Sequence, residues 1–238
     1  MQEETAKKLG RAIWHWLEYQ AACNKDFMLS EKSLAQPIGE LLNSVHKEGV
    51  ATELPHPNID KKLKGRGRQI DYALNSKGGK TVAVIESKWA PNAPDVQGII
   101  HDVMRLEYVK KTYSYFILAG LRKNIEEKPV PSGVGKLTKK IKQLDTILPL
   151  YEDNEKNISI RDCESTLRKY FEKFSEDYEI PELPNSITVK RVFTSADDRK
   201  DKLTHESTYV YIWRIKSSRG QRAGFDPKKT WLPTASKE

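Results

Sequence analysis

Two cysteines in 238 residues, Cys23 and Cys163, leave no CxxC spacing. That excludes a disulfide framework and a thiolate zinc site, and it fits a reducing cytoplasm. The five histidines are too scattered to replace thiolates at zinc. Long apolar runs are missing as well. Runs such as Thr81–Ile85 and Tyr115–Ala119 are strand-sized, far short of the ~18 residues of a membrane helix. The opening Met1-Gln2-Glu3-Glu4 lacks the basic-then-apolar order of a signal peptide. No Gly-rich phosphate loop, GxSxG or HExxH occurs, so the common nucleotide-binding, serine-hydrolase and zinc-protease signatures are excluded.

What is present is charge on an adequate apolar base. Charged residues make up 31% and hydrophobic residues 37%, enough to build a core and too much for a disordered chain. Lys and Arg total 41 against 33 Asp and Glu, a formal net charge of +8. A basic soluble chain of this size points weakly to a polyanionic partner. One domain spanning 1–238 is the expectation, with no repeat and no linker long enough to divide it.

Periodicity sets out the elements. Leu9, Ile13, Trp16 and Leu17, with Gln20, fall near one face and mark an N-terminal helix over 3–23, rich in aromatics through Trp14, Trp16 and Tyr19. Ser30 is a natural N-cap for a helix carrying Leu34, Ile38, Leu41, Leu42 and Val45, with Gly49 as its stop. Pro37 either kinks that helix or begins its regular part. Residues 51–69 read as a loop that becomes strongly basic over Lys61–Arg68. Gln69–Leu74 and Thr81–Trp89 flank a turn containing Gly78-Gly79, the clearest hairpin in the chain. Asp95 caps a helix to about Lys110 with Val96, Ile99, Ile100, Val103 and Leu106 inward, and Tyr113–Ala119, closed by Gly120, is the next strand. Strand, helix, strand implies a crossover and a parallel pair. Residues 122–136 form a basic loop. Helices over Leu137–Leu150 and Asp162–Tyr178, and strands over Ile187–Thr194 and Tyr209–Ile215, complete a C-terminal part of about 137–216.

The chemistry-bearing residues gather at the hairpin. Val82 to Ile85 is a core run that leads straight into Glu86, Ser87 and Lys88. Glu86 and Lys88 are two apart and share one face of a strand. Charge at the end of a buried strand is costly unless it is paired or binds a metal. Asp71 on the neighbouring strand offers a second carboxylate. Two carboxylates and a backbone carbonyl suit Mg²⁺, which takes oxygen ligands, lowers the pKa of bound water and polarises phosphoryl oxygens. A lysine beside such an ion orients water or stabilises developing charge. The bland alternative is a surface Glu–Lys pair at a strand end.

Ile70-Asp71, fourteen intervening residues, then Glu86-Ser87-Lys88 resembles the PD-(D/E)xK nuclease superfamily. The flanking order of helix, hairpin, helix and strand is similar over about residues 30–120. Ile70 stands where the pattern has proline, a loose position. The resemblance implies an α/β restriction-endonuclease-like core, a central mixed β-sheet flanked by helices. It implies Asp71 and Glu86 as metal-binding acids, the Ser87 carbonyl as a further ligand and Lys88 as the catalytic lysine. It also implies a helix acid. Glu40, after Pro37-Ile38-Gly39, is the choice, with Glu31 its competitor because helical angle puts Glu31 nearer the Leu34/Ile38/Leu41 face.

Around this set, Lys64, Arg66 and Arg68 are candidates for gripping a nucleic-acid backbone, as are Gln97 and Arg105 on the following helix. Asp102 and Arg105, at i and i+3, read more simply as a helix ion pair. Arg214, Lys216, Arg219 and Arg222 either extend the positive surface or form a solvated tail. The expected activity is Mg²⁺-dependent hydrolysis of phosphodiester bonds, with Mn²⁺ as substitute. DNA is preferred over RNA as substrate, in restriction or phage defence or in repair. Cutting both strands asks for two sites, hence a homodimer or a partner subunit, and no membrane. The rivals are a nuclease fold that binds nucleic acid or a partner without cutting, and an unrelated α/β enzyme in which 71, 86 and 88 are structural.

Overall fold

The Gly78-Gly79 turn closes as the sequence implies. Gly79 takes φ 74°, a left-handed conformation that glycine adopts without a Cβ penalty. Its N–H donates to the Ser76 carbonyl. The computed structural model describes residues 1–23, 25, 29–59, 69–90, 94–110, 112–121, 135–195, 208–217 and 224–227, with backbone only at 135–138 and 225. Five helices are described: α1 (Glu3–Ala22), α2 (Glu31–Val45), α3 (Val96–Glu107), α4 (Gly135–Ile147) and α5 (Ser165–Asp177). The strands are β1 (Val50–Pro55), β2 (Gln69–Asn75), β3 (Thr81–Ala90), β4 (Tyr113–Leu121), β5 (Lys156–Ser159), β6 (Leu183–Pro184), β7 (Ser186–Thr194), β8 (Thr208–Lys216) and β9 (Gly224–Phe225).

Seven strands form one mixed sheet in the order β1-β2-β3-β4-β8-β7-β5, and β6 pairs with β9 separately. β1, β2 and β3 are an antiparallel meander, and α3 then carries the chain over to β4, which runs parallel to β3. The remaining pairings, β4–β8, β8–β7 and β7–β5, are antiparallel. The chain is therefore α/β, with a central mixed sheet between helices.

Side chains alternate across the sheet with the period of two that a strand imposes. Tyr115, Ile117 and Ala119 of β4, with Val210 and Ile212 of β8, face the layer made by α1 and α2. Phe116 and Leu118, with Tyr209, Tyr211, Trp213 and Ile215, face α3, α4 and α5. Burial on both faces explains why β3 and β4 read as unbroken apolar runs. Trp213 is fully buried, and its indole N–H donates to the Pro149 carbonyl at 2.9 Å, so this indole leaves no polar atom unmet.

Asp95 caps α3, its Oδ1 accepting the Gly98 N–H at 3.1 Å. Ser30 caps α2 in a reciprocal box with Ser33. Four expectations need correction. α2 runs from Glu31 straight through Pro37, so its regular part does not begin there. It ends at Val45, and Gly49 instead takes φ 117° at the turn into β1. β1 occupies the start of the expected 51–69 loop, because an edge strand with mostly solvated side chains lacks the apolar run that marks an inner one. β4 continues through Gly120 to Leu121. The four-residue β5 has too short a pattern to be read from periodicity. Among the described residues, no helix is long and apolar enough to cross a membrane.

α1 lies so close to β7 that its own glycine is required. A Cβ at Gly10 would fall 2.2 Å from Phe193 Cδ1, inside van der Waals contact with a buried ring. Gly10→Ala should therefore destabilise the fold by about 1–3 kcal/mol through overpacking. Chemical denaturation checks this. Adding Phe193→Leu should restore part of the loss, whereas independent, additive losses would place the effect elsewhere.

Candidate active site

β2 and β3 bring Asp71 and Glu86 together by register. Tyr72 pairs with Ile85, Ala73 with Val84 and Leu74 with Ala83. The pairing ends there, and Asp71 and Glu86 are the next residue on each strand, close enough for the Asp71 charge to act on Glu86. Asp71 shares the sheet face of Ala73, and Glu86 and Lys88 share that of Val84, the face covered by α3. Edge strand β1 breaks its ladder at the same level. Glu53 takes φ 52°, between the pairs Thr52–Tyr72 and Leu54–Ile70, opposite Asp71.

Asp71 Oδ2 accepts two hydrogen bonds from Ser87, from N–H at 2.8 Å and from Oγ–H at 3.0 Å. This pair clamps the end of the hairpin and aims the aspartate. Glu86 is almost fully buried, and Arg105 answers its charge. Both Nε and Nη2 of the guanidinium lie 2.9 Å from Glu86 Oε1. Nη2 also lies 2.9 Å from Asp102 Oδ1, while Asp102 Oδ2 is 3.4 Å from Lys88 Nζ. The i, i+3 pair read from the sequence is thus real, but it is not a solvated helix pair. It joins the two cations to the buried acid of β3.

Other residues set these groups in place. Nη1 of Arg105 donates to the Tyr178 hydroxyl at 3.2 Å, at the C-terminal cap of α5. The Arg105 backbone carbonyl accepts from His56 Nε2 at 2.8 Å. His56 Nδ1 accepts the N–H groups of Asn58 and Ile59, so the ring is the Nε2–H tautomer. Gly98 leaves room for the lysine: a Cβ there would lie 3.1 Å from Lys88 Nζ and 2.3 Å from Asp95 Oδ2. His56, Gly98 and Tyr178 carry no motif in the sequence. Only the fold brings them to the site.

Of the two helix acids, the fold brings Glu31 to this cluster. It sits in the first turn of α2, within electrostatic reach of Lys88, Asp102, Asp71 and Arg105. Glu40 is about 13 Å further along the helix axis, exposed, and accepts from Gln36 Nε2 at 2.9 Å. Helical angle, not the position after Pro37, is the cue that matches this placement. Gln97 is half-buried in the first turn of α3. Lys64, Arg66 and Arg68, together with Arg219 and Arg222, lie outside the described residues. Arg214 and Lys216 are taken up by ion pairs, Arg214 with Glu3 and Glu155 and Lys216 with Glu155.

The cluster holds four carboxylates, Asp71, Glu86, Asp102 and Glu31, against two cations, Lys88 and Arg105. Desolvation pushes the Glu86 carboxyl well above its ordinary range, with Arg105 pulling it back and Asp71 and Asp102 adding to the rise. Desolvation also raises Asp102, against the pull of Arg105 and Lys88. Arg105 and Lys88 are held above their ordinary values by the acids they face, despite their own desolvation. By formal count the site holds two more acids than cations. Compared with family models, with curated proteins and with solved structures, the chain returns no match.

Partial desolvation, together with the charges of Asp102 and Asp71, raises the Glu31 carboxyl above its ordinary value of 4.5. Below that pH the group is protonated in folded and unfolded chains alike. As pH rises through the elevated folded value, the ionised form costs stability. Glu31→Gln should thus raise the melting temperature near neutral pH by ~1–2 °C, a small effect because the residue is solvated, and the gain should fade below about pH 4.5. Thermal scans of both chains across pH 4–8 check this. A gain that does not change with pH would mean that repulsion at Glu31 is not its source.

Proposed function

We propose that the chain is a metal-dependent nuclease on a restriction-endonuclease-like core, hydrolysing phosphodiester bonds in DNA. One observation carries this reading. Asp71 and Glu86 stand on adjacent strands with Lys88 on the same face, where an apolar sheet ends in charge. The order α2, hairpin β2–β3, α3, β4 is the helix, hairpin, helix and strand on which the resemblance rests; β1 before the hairpin is an addition to it.

The donor set fits Mg²⁺, or Mn²⁺ in its place, in chemistry: hard carboxylate oxygens and an excess of negative charge. Among the described residues no three His, Cys, Asp or Glu side chains form a ready-made cage. Asp71 is engaged by Ser87 and Glu86 by Arg105. Asp71, Glu86 and the Ser87 carbonyl would hold the ion, which lowers the pKa of water and polarises the phosphoryl group when bound. Lys88, held by Asp102 beside these acids, orients the attacking water and stabilises the charge that develops on phosphate. Arg105 supplies a second positive charge, and basic residues 64, 66 and 68 lie in the segment leading into β2 and would contact the backbone of the substrate. Two-strand cleavage would use a second copy of the chain or a partner subunit.

A second reading, a binding protein without cleavage, is favoured by one feature: both acids are already satisfied within the protein. Supercoiled, linear and single-stranded DNA incubated with Mg²⁺, Mn²⁺ or EDTA distinguishes the two. The nuclease reading expects cutting that EDTA abolishes. Asp71→Asn, Glu86→Gln and Lys88→Ala should each lose at least ~100-fold in rate with the circular-dichroism spectrum unchanged. Undiminished cutting by all three variants would reject the assignment. Salt-sensitive DNA binding that ignores Mg²⁺, with no cleavage, would support the second reading.

A further inference from the structure

The cation that Glu86 faces in this structure is a side chain. Nε and Nη2 of Arg105 share Glu86 Oε1, and the acid's side chain is only 2% exposed. A divalent ion bound at Glu86, through either oxygen, would stand next to a full positive charge. In a buried site that repulsion is weakly screened. The two cations therefore compete for one carboxylate. Arg105 can yield without becoming an unpaired buried charge. Asp102 Oδ1 and the Tyr178 hydroxyl already hold its other N–H groups, and its side chain is 18% exposed, the most open member of this trio of charges. Released from Glu86, the Nε and Nη2 edge presents two parallel donors, the geometry that takes a phosphate in bidentate fashion.

We propose that Arg105 is an exchangeable counter-ion: it neutralises Glu86 until a divalent cation binds there, and once displaced it positions the substrate phosphate. The inference rests on the nuclease reading and deepens it. It assigns Arg105 opposite effects on the two ligands, opposing the cation and favouring the phosphate. A residue that merely braced the fold would not separate them.

Binding measurements on the full chain test it without turnover. Mn²⁺ affinity is read from the free-ion electron paramagnetic resonance signal for wild type, Arg105→Gln and Arg105→Lys. Arg105→Gln should bind Mn²⁺ about tenfold more tightly, close to 1.4 kcal/mol, and Arg105→Lys should stay within about threefold of wild type. At saturating Mn²⁺, Arg105→Gln should bind thymidine 5′-phosphate, which has no diester to cut, at least tenfold more weakly than wild type. Equal or weaker Mn²⁺ binding by Arg105→Gln, or undiminished binding of the nucleotide, overturns the proposal and leaves the nuclease reading standing. No Mn²⁺ bound by any of the three chains removes the reading and the proposal together. Should Arg105→Gln fail to fold, the wild-type Arg105 Nε–H resonance, assigned by its loss in Arg105→Lys, decides. It should shift and exchange faster with solvent as Mg²⁺ is added, and an unchanged signal at saturating Mg²⁺ overturns the exchange.

Discussion

A carboxylate taken out of water must find a positive partner or give up its charge, and Glu86 meets that demand in the middle of the sheet. Its side chain is 2% exposed, one residue past the last β2–β3 pair and opposite Phe116 of β4. Arg105 answers it at 2.9 Å, and Asp102, Lys88 and Tyr178 are in turn arranged around Arg105 and its partner acid. Losing one partner of a buried pair costs on the order of 3–5 kcal/mol, because the other is left charged and unsolvated. A well-packed apolar pair in the same space would be at least as stable. Stability alone is therefore a poor reason for this arrangement, and the surplus of acids over cations makes it poorer.

The sheet explains how such a cluster is held. β3 and β4 are parallel, so the chain must cross over, and the crossover helix lands on the face that Glu86 and Lys88 share. Asp95 fixes the start of that helix, and His56 its last turn through the Arg105 carbonyl. Between these points, Ile99, Ile100, Val103 and Met104 are buried against the sheet. Asp102 and Arg105, three apart, therefore face the end of β3. Loops could not hold five charged groups at these distances as firmly as a packed helix and two hydrogen-bonded strands.

How much of this was legible follows from where each signal is stored. The Gly-Gly turn, the unbroken apolar run Val82–Ile85 and the acid and lysine two residues apart are local patterns, and hairpin, strand and shared face came directly from them. Asp95 was legible as a cap because capping is a one-turn interaction. β1 was missed because its burial is weak, and the Gly49 stop was misplaced because helix ends fray into turns with several acceptable residues. Glu40 stands out in the sequence because it follows Pro37-Ile38-Gly39 near the middle of the helix, a cue that carries no angle. An unbroken helix makes angle the better guide. The roles of Asp102 and Arg105 were under-read, since i, i+3 spacing says nothing of what lies opposite the helix. His56 and Tyr178 are long-range partners, 49 and 73 residues from Arg105, and no pattern in one sequence encodes them.

The C-terminal half of the chain acts on this site through α3. Tyr178 reaches Arg105 from the end of α5, stacked on Phe174 with ring centroids 4.4 Å apart. The Tyr108 hydroxyl, at the end of α3, donates to the Glu182 carbonyl at 2.7 Å just before β6. Phe174 also touches the Tyr108 and His101 rings, so α3 and α5 meet through four aromatic side chains. Aromatic contacts of this kind add about 0.5–1.5 kcal/mol each beyond the area they bury. The hydroxyls at either end of the cluster fix the register between the helices as well as their distance. A shift of α5 along α3 would pull Tyr178 from Arg105 and reset the guanidinium against Glu86. Among the described helices α5 lies furthest in sequence from the hairpin, yet through Tyr178 it helps set how Arg105 meets the buried acid.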